Sequence, residues 1–257
     1  MPTKKFEKFV EIVRKLRREC PWDREQTHES IRESLLEEAY EVVESIDHKA
    51  WGGLKEELGD LLLHVVFHAT IAEQEKEFTL REIIEGVSEK LVRRHPHVFG
   101  TTKVKDAHEV KRNWESLKLA EGRTSVMDGI PKELPALLRA YRLQDKASKL
   151  GFDWKDKVDV WKKVEEEIIE LNKALEDRSN DNTDQVEKEF GDLLFALVNY
   201  ARFIGVNPEG ALRSSVDTFI GRFRYIERSL KRRGKEVRDS TLEEMDQLWA
   251  EAKRHGR

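Results

Sequence analysis

The chain is nearly free of cysteine, with Cys20 alone among 257 residues. That count excludes an internal disulfide and any zinc site built on several thiolates. Helix breakers are also scarce, at 6 Pro and 14 Gly. No apolar run approaches the roughly 20 residues that a membrane helix requires. The opening Met1-Pro2-Thr3-Lys4-Lys5-Phe6-Glu7 lacks the apolar region of a signal peptide, so the expected location is the cytoplasm. Neither charge sign prevails: 47 Lys and Arg against 51 Asp and Glu give −4, and nothing in that balance directs the chain to nucleic acid. A GxxxxGK[ST] phosphate loop is missing as well, which excludes a P-loop NTPase.

What the chain does have is charge, 38% of residues and equal to its hydrophobic share. The length suits one large or two ordinary domains with a real core. Apolar residues recur with a helical period almost throughout. Phe6, Val10, Val13 and Leu16 predict a first helix ending before Pro21. Ile31, Leu35, Ala39, Val42, Val43 and Ile46 predict a second over about 28–47, and Leu54 through Ala69 a third to about 74. Thr79 with Glu82 reads as a capping box for a fourth helix that must stop before Pro96. Asp106 with Glu109 starts a fifth, through Val110, Trp114 and Leu117. Residues 121–131 break the pattern as a connector. Beyond it, helices are expected at about 132–149, 156–177, 182–204, 208–232 and 241–254, with start signals at Asn182/Gln185, Asn207-Pro208 and Ser240/Glu243. No convincing alternating strand occurs, and the fold class is all-α.

The two halves are copies. Glu38 to Glu167 and Glu41 to Glu170 both span 129 residues, while Glu57 to Glu189 and Asp60 to Asp192 both span 132. Arg94 to Arg222 spans 128 and Trp114 to Trp249 spans 135. Such a near-constant shift implies two homologous units, 1–120 and 132–257, joined by 121–131. Long helices with short connections make a four-helix core the natural architecture.

Glu38 and Glu41 share a helix face at i, i+3, as do Glu57 and Asp60. Antiparallel packing would bring the four carboxylates together, and Glu167, Glu170, Glu189 and Asp192 repeat the arrangement. Four such groups repel unless a cation neutralises them. Hard oxygen ligands without His or Cys favour Mg²⁺, with Mn²⁺ as substitute. With this many acids, the pattern acid-x-x-acid arises about ten times by chance, so a single pair is a solvated surface. Two pairs on consecutive helices, duplicated and each followed by an apolar run, read instead as a metal site. Gly59 and Gly191 hold equivalent mid-helix positions, where glycine costs roughly 1 kcal/mol relative to alanine. Close helix approach beside the acids would explain that cost.

Basic residues downstream fit a phosphate ligand. Lys90 and Arg94 lie at i, i+4 on the fourth helix, as do Trp114 and Lys118 on the fifth. The second half offers Arg222, Trp249 and Lys253, with Thr218 where Lys90 would be. Arg and Lys can grip phosphates and Trp can stack on a base. Singly, each is an ordinary ion-pair partner or core residue; recurrence at matched positions raises them. His64 and His68 are i, i+4, but Val65 replaces the glutamate of HExxH, so they are expected beside the core. Glu25-x-x-His28 is a lone ExxH, whereas a di-iron bundle wants two.

Several longer segments carry a resemblance. Cys20-Pro21-Trp22-Asp23 with Gln26-Thr27-His28, Glu37-Glu38-Ala39-Tyr40-Glu41, and Glu57-Leu58-Gly59-Asp60-Leu61-Leu62 are the most specific. Arg93-Arg94-His95-Pro96-His97-Val98-Phe99, Asp128-Gly129-Ile130-Pro131 with Leu134-Pro135-Ala136-Leu137, and Gly151-Phe152-Asp153-Trp154 extend it over essentially the whole chain. Together they resemble the MazG family, all-α nucleoside triphosphate pyrophosphohydrolases. The resemblance implies metal ligation by both carboxylate sets. It implies nucleotide contacts from Lys163, Arg222, Trp249 and Lys253, with Lys90, Arg94, Trp114 and Lys118 as first-half counterparts. It also implies a homodimer in which helices of two chains complete each bundle. The expected reaction is Mg²⁺-dependent hydrolysis of (d)NTP to (d)NMP and pyrophosphate, with Glu166 or Glu37 as general base. A non-catalytic helical interaction protein is the other reading, and incubation with NTP and Mg²⁺ separates the two.

Overall fold

The computed structural model describes residues 2–106, 109–110, 113–114, 125–176 and 182–254. Among these the protein is all-α, without a strand. None of its helices is long and apolar enough to cross a membrane. The chain forms two compact units, Met1–Lys105 and Asp106–Arg257.

The first unit runs α1 (Pro2–Glu19), α2 (Pro21–Glu25), α3 (Arg32–Asp47), α4 (Trp51–Glu75), α5 (Leu80–Arg94) and the single turn α6 (Pro96–Phe99). Its core sits at one end of α4. Val66, Phe67, Ala69 and Ile71 pack there with Val10 and Val13 of α1, Ile31 and Leu80. Arg17, only 6% exposed, ties the motif after α1 in place. Its guanidinium donates to the carbonyls of Asp23 and Gln26 (2.9 Å for Gln26) and to Gln74 Oε1 at 2.7 Å. The other end of α4 packs on α3 as a hairpin, and this is the end that bears the acids.

The second unit contains α7 (Ala136–Ser148), α8 (Lys157–Glu176), α9 (Thr183–Phe203), α10 (Pro208–Arg232), a short 3₁₀ turn at Val237–Asp239 and α11 (Leu242–Arg254). Helices α8 and α9 form a hairpin, and α7 packs across α9 and α10. Helices α10 and α11 close around Ile226, Leu230 and Leu248. Residues 109–110 and 113–114 are helical, and the Glu109 amide donates to Asp106 Oδ1 at 2.8 Å, as the expected cap requires.

Several sequence expectations are corrected by local chemistry. The second helix begins at Arg32 rather than 28, because Thr27 and Ser30 exchange side-chain-to-amide hydrogen bonds in a turn. Helix α7 starts at Ala136, since Pro135 is its N-cap. Asn182 makes no capping bond; its side-chain amide donates back to the Ala174 carbonyl. The final cap is Thr241 with Glu244, one residue beyond Ser240/Glu243. The Glu244 amide donates to Thr241 Oγ1 (3.3 Å) and the Thr241 amide to Glu244 Oε2 (3.1 Å). Close helix approach does not explain Gly59 or Gly191. A Cβ built on either would have no other atom within 4 Å, so intrachain packing does not demand glycine there.

Candidate metal and nucleotide site

Each hairpin gathers three of its four acids. Carboxylate oxygens of Glu38 and Glu41 on α3 and Glu57 on α4 lie within 4.8 Å of one another, as do those of Glu167 and Glu170 on α8 with Glu189 on α9. The i, i+3 spacing sets the first two acids on one face, and the hairpin brings in the third. Asp60 and Asp192 stand outside these trios, each three residues beyond Glu57 or Glu189 on the same helix.

The two clusters are balanced differently. In the first, desolvation followed by the charges of Asp60, Glu41, Glu57 and Glu37 pushes the Glu38 carboxyl above its ordinary range. Glu57 is raised in the same way, by desolvation and then by Glu41, Glu56 and Asp60. In the second, two lysines neutralise the acids. Lys163 Nζ lies 2.8 Å from Glu166 Oε1 and 2.7 Å from Glu167 Oε1, and these hydrogen bonds hold its ammonium above the ordinary lysine range. Lys188 Nζ lies 3.0 Å from Glu189 Oε1 and 3.1 Å from Asp192 Oδ2, and is raised for the same reason.

Glu167 and Glu189 are each only 5% exposed, and one oxygen of each (Oε2) is buried without any hydrogen-bond donor. A buried carboxylate oxygen lacking a donor is costly to leave unpaired. Two of them, in an all-oxygen set, suit a hard divalent cation.

Beside this second cluster opens a cavity of about 440 Å³, within the size of small-molecule sites. Lys163, Glu167 and Asp192 form its charged edge, while Met127, Phe152, Trp154 and Phe195 give apolar wall. Two segments that overlap motifs of the resemblance, 128–131 and 151–154, build that wall. In Ser125–Gly129, the Ser125 amide donates to Asp128 Oδ2 (2.7 Å), and Gly129 takes a φ of +75°, open to glycine. The buried Lys146 donates to the carbonyls of Val126 (2.8 Å) and Asp128 (2.7 Å), fixing the loop that presents Met127. In Gly151–Trp154, Asp153 makes a bidentate pair with Arg202 of α9, which also donates to Asn199 Oδ1 at 3.0 and 3.1 Å. That clamp holds Phe152 and Trp154 at the opening.

Arg222 and Trp249 form a separate group. The Arg222 guanidinium lies 5.2 Å from the Trp249 ring centre, and Phe219 packs on the same ring. Neither of them, nor the exposed Lys253, is among the residues lining the cavity. In the first unit, Lys90 is exposed and Arg94 half-buried on α5; Trp114 lies in a helical turn. Lys118 falls outside the described residues. The two general-base candidates, Glu37 and Glu166, are exposed.

The sequence profile of the MazG nucleotide pyrophosphohydrolase domain matches residues 26–99. Across 253 residues the chain is 44% identical to the nucleoside triphosphate pyrophosphohydrolase/pyrophosphatase MazG of Thermotoga maritima, covering 96% of this chain and 95% of that protein. The chain belongs to the MazG family. A second MazG relative, the nucleoside triphosphate pyrophosphohydrolase of Escherichia coli, is 40% identical over 256 residues and 97% of each chain. The uncharacterized protein YabN of Bacillus subtilis is 48% identical over 253 residues, which is 96% of this chain and 51% of that one.

In this MazG chain no residue pattern points to Lys188, to the closing of the cavity or to His28 joining His64 and His68. The one signal for Lys188 is a lysine at the position matched to Glu56 of the first half. The cavity assembles from three loops and helices, so no spacing announces it. His64 and His68 do lie beside the core as expected, but His28 joins them. His28 Nδ1 and His68 Nδ1 are 2.7 Å apart in stacked rings. Burial lowers the pKa of both His64 and His68, and their Nδ1 and Nε2 respectively have no partner.

Proposed function

We propose that this chain is a divalent-metal-dependent nucleoside triphosphate pyrophosphohydrolase, converting (d)NTP and water to (d)NMP and pyrophosphate, with Mg²⁺ as the metal and Mn²⁺ as substitute. The Thermotoga and Escherichia relatives are named nucleoside triphosphate pyrophosphohydrolases, and the chain aligns with both nearly end to end. The observation that carries the reading is the pair of donor-free oxygens on Glu167 and Glu189, the first of these residues lining a nucleoside-sized cavity.

Glu167, Glu170, Glu189 and Asp192 would hold the metal in the second repeat, and Glu38, Glu41, Glu57 and Asp60 in the first. A divalent ion held by these residues would supply Lewis-acid polarisation of the phosphate and offset its charge. The chain's own groups do the rest. The apolar wall seats the nucleoside and excludes water from it. Lys163, at the charged edge of the same cavity, meets phosphate oxygens. Glu166, exposed beside Lys163, takes the proton of the attacking water, with Glu37 as its first-repeat equivalent. Attack forms one P–O bond at the α-phosphorus and breaks the bond to the bridging oxygen, so pyrophosphate leaves. The second repeat, which combines buried acids, lysine and cavity, is the one that turns over.

A homodimer of two-repeat chains, 1–120 and 132–257, completes the helical cores. Its support is a repeated apolar surface. Leu58, Leu62 and Val65 on α4 are 41–51% exposed, and Phe190, Leu194 and Leu197, each 132 residues later on α9, are 40–53% exposed. Ile84, Leu91 and Val92 on α5 likewise match Leu212, Phe219 and Ile220 on α10 at 128 residues, all exposed. Such matched stripes suit a second copy. Arg222, Trp249 and Lys253, with Lys90, Arg94, Trp114 and Lys118, then contribute phosphate and base contacts to sites completed by that copy.

Pyrophosphate release from NTP with Mg²⁺ tests the reading. Glu57→Gln with Glu189→Gln is expected to abolish release, and Glu189→Gln alone to remove nearly all of it. Full activity in the double variant would sink the metal-site assignment.

A further inference from the structure

The two carboxylate sites differ at two lysine positions. Aligning Glu57 with Glu189 sets Glu56 opposite Lys188, and aligning Glu38 with Glu167 sets Ser34 opposite Lys163. Four carboxylates less two ammonium groups leave a formal −2 on the second site. The same positions of the first, with Glu56 as a fifth acid and a neutral Ser34, carry −5. After desolvation, the charges that act most strongly on Glu38 and Glu57 are other carboxylates. Lys188 instead bridges Glu189 Oε1 and Asp192 Oδ2, from two of the very residues a cation would need. Its side chain is 61% exposed, on a stem with four rotatable bonds, so the ammonium can leave without disturbing α9.

An ammonium 3.0 Å from a ligand oxygen opposes a second cation in two ways. It occupies lone pairs, and it repels the incoming charge. Both penalties vanish when an anion draws the ammonium outward, and a triphosphate arriving with the metal is such an anion. Among the described residues no lysine is paired with Glu38, Glu41, Glu57 or Asp60 of the first site, Lys55 beside Glu56 included.

Resting on the metal-site reading above, we propose that Lys188 is a displaceable counter-ion, which makes a free divalent cation bind weakly at the second site and couples its entry to the arrival of the triphosphate. Lys188 thereby acts as a positioning residue. It keeps Glu189 and Asp192 together while the site is empty of metal, and turns to the phosphates once the metal holds them.

The test is Mn²⁺ titration of the full chain by electron paramagnetic resonance, in a Glu57→Gln background that weakens the first site. Without nucleotide, Lys188→Met is expected to tighten Mn²⁺ binding about tenfold, as removal of one adjacent charge implies, while Lys188→Arg retains the weak affinity. An α,β-methylene NTP should tighten Mn²⁺ binding in the parent far more than in the Lys188→Met chain. The KM for NTP should rise in Lys188→Met more than kcat falls. Unchanged Mn²⁺ affinity in Lys188→Met overturns the proposal alone and leaves an ordinary surface ion pair. No Mn²⁺ binding in parent or variant overturns it together with the metal-site reading.

Discussion

At the scale of single residues, burial and its compensation separate groups that composition makes look alike. Fifty-one acids are spread over the chain, yet among the described residues only Glu167 and Glu189 are buried acids. Their donor-free oxygens distinguish the second hairpin from a solvated charged face. The histidines make a second case. Burial lowers the pKa of His64 and His68 below 6.5, with the neighbouring His28 adding to the effect at His68. A base whose folded pKa is depressed binds fewer protons folded than unfolded between the two values, so stability is lost as pH falls through that window. We expect the urea midpoint of the protein to fall as pH drops from about 6.5, and His68→Asn to flatten that fall; an unchanged pH profile in the variant would remove His68 as the source.

At the scale of elements, caps and connectors decide where helices sit and what their ends present. The Thr241–Glu244 box predicts that Thr241→Ala costs about 1 kcal/mol in chemical denaturation. Ser240, whose hydroxyl donates to the Glu236 carbonyl instead, should cost much less when changed to Ala. Equal losses would return the cap to Ser240. Glycine tells a related story on α4 and α9. With open space where each Cβ would lie, Gly59→Ala and Gly191→Ala should raise the stability of their helices by roughly 0.5–1 kcal/mol, read by hydrogen exchange of the flanking amides. Loss of association in the same variants would place those bare backbones against the second copy.

At the scale of the whole molecule, the duplicated pattern of exposed apolar residues is the feature that a single chain leaves unsatisfied. Leu62→Glu with Leu194→Glu, both on surface positions, is expected to halve the solution mass in sedimentation equilibrium while leaving the helical circular dichroism intact. A mass that does not change would remove these stripes from any interface. The two repeats also have unequal electrostatics, one cluster self-repelling and the other lysine-balanced. The matched acids are thus present in both halves, and what compensates them differs.

The order of helices and the acid pairs could be read from residue spacing, because each depends on neighbours three or four positions apart on one helix. The capping box at Thr79 and Glu82 was legible for the same reason. The one-residue error at Thr241 and the late start of α3 arose where several polar side chains competed for the same amides. Which acid is buried, which lysine answers it, and how Met127, Phe152, Trp154 and Phe195 come to share a cavity could not be read that way. Those outcomes depend on contacts between segments far apart in the chain: Lys146 on the Val126–Asp128 carbonyls, Arg202 on Asp153, His28 on His68. Local periodicity determined the carriers of the chemistry, and only tertiary packing decided their surroundings, because desolvation and charge compensation belong to the folded neighbourhood and not to the spacing along the chain.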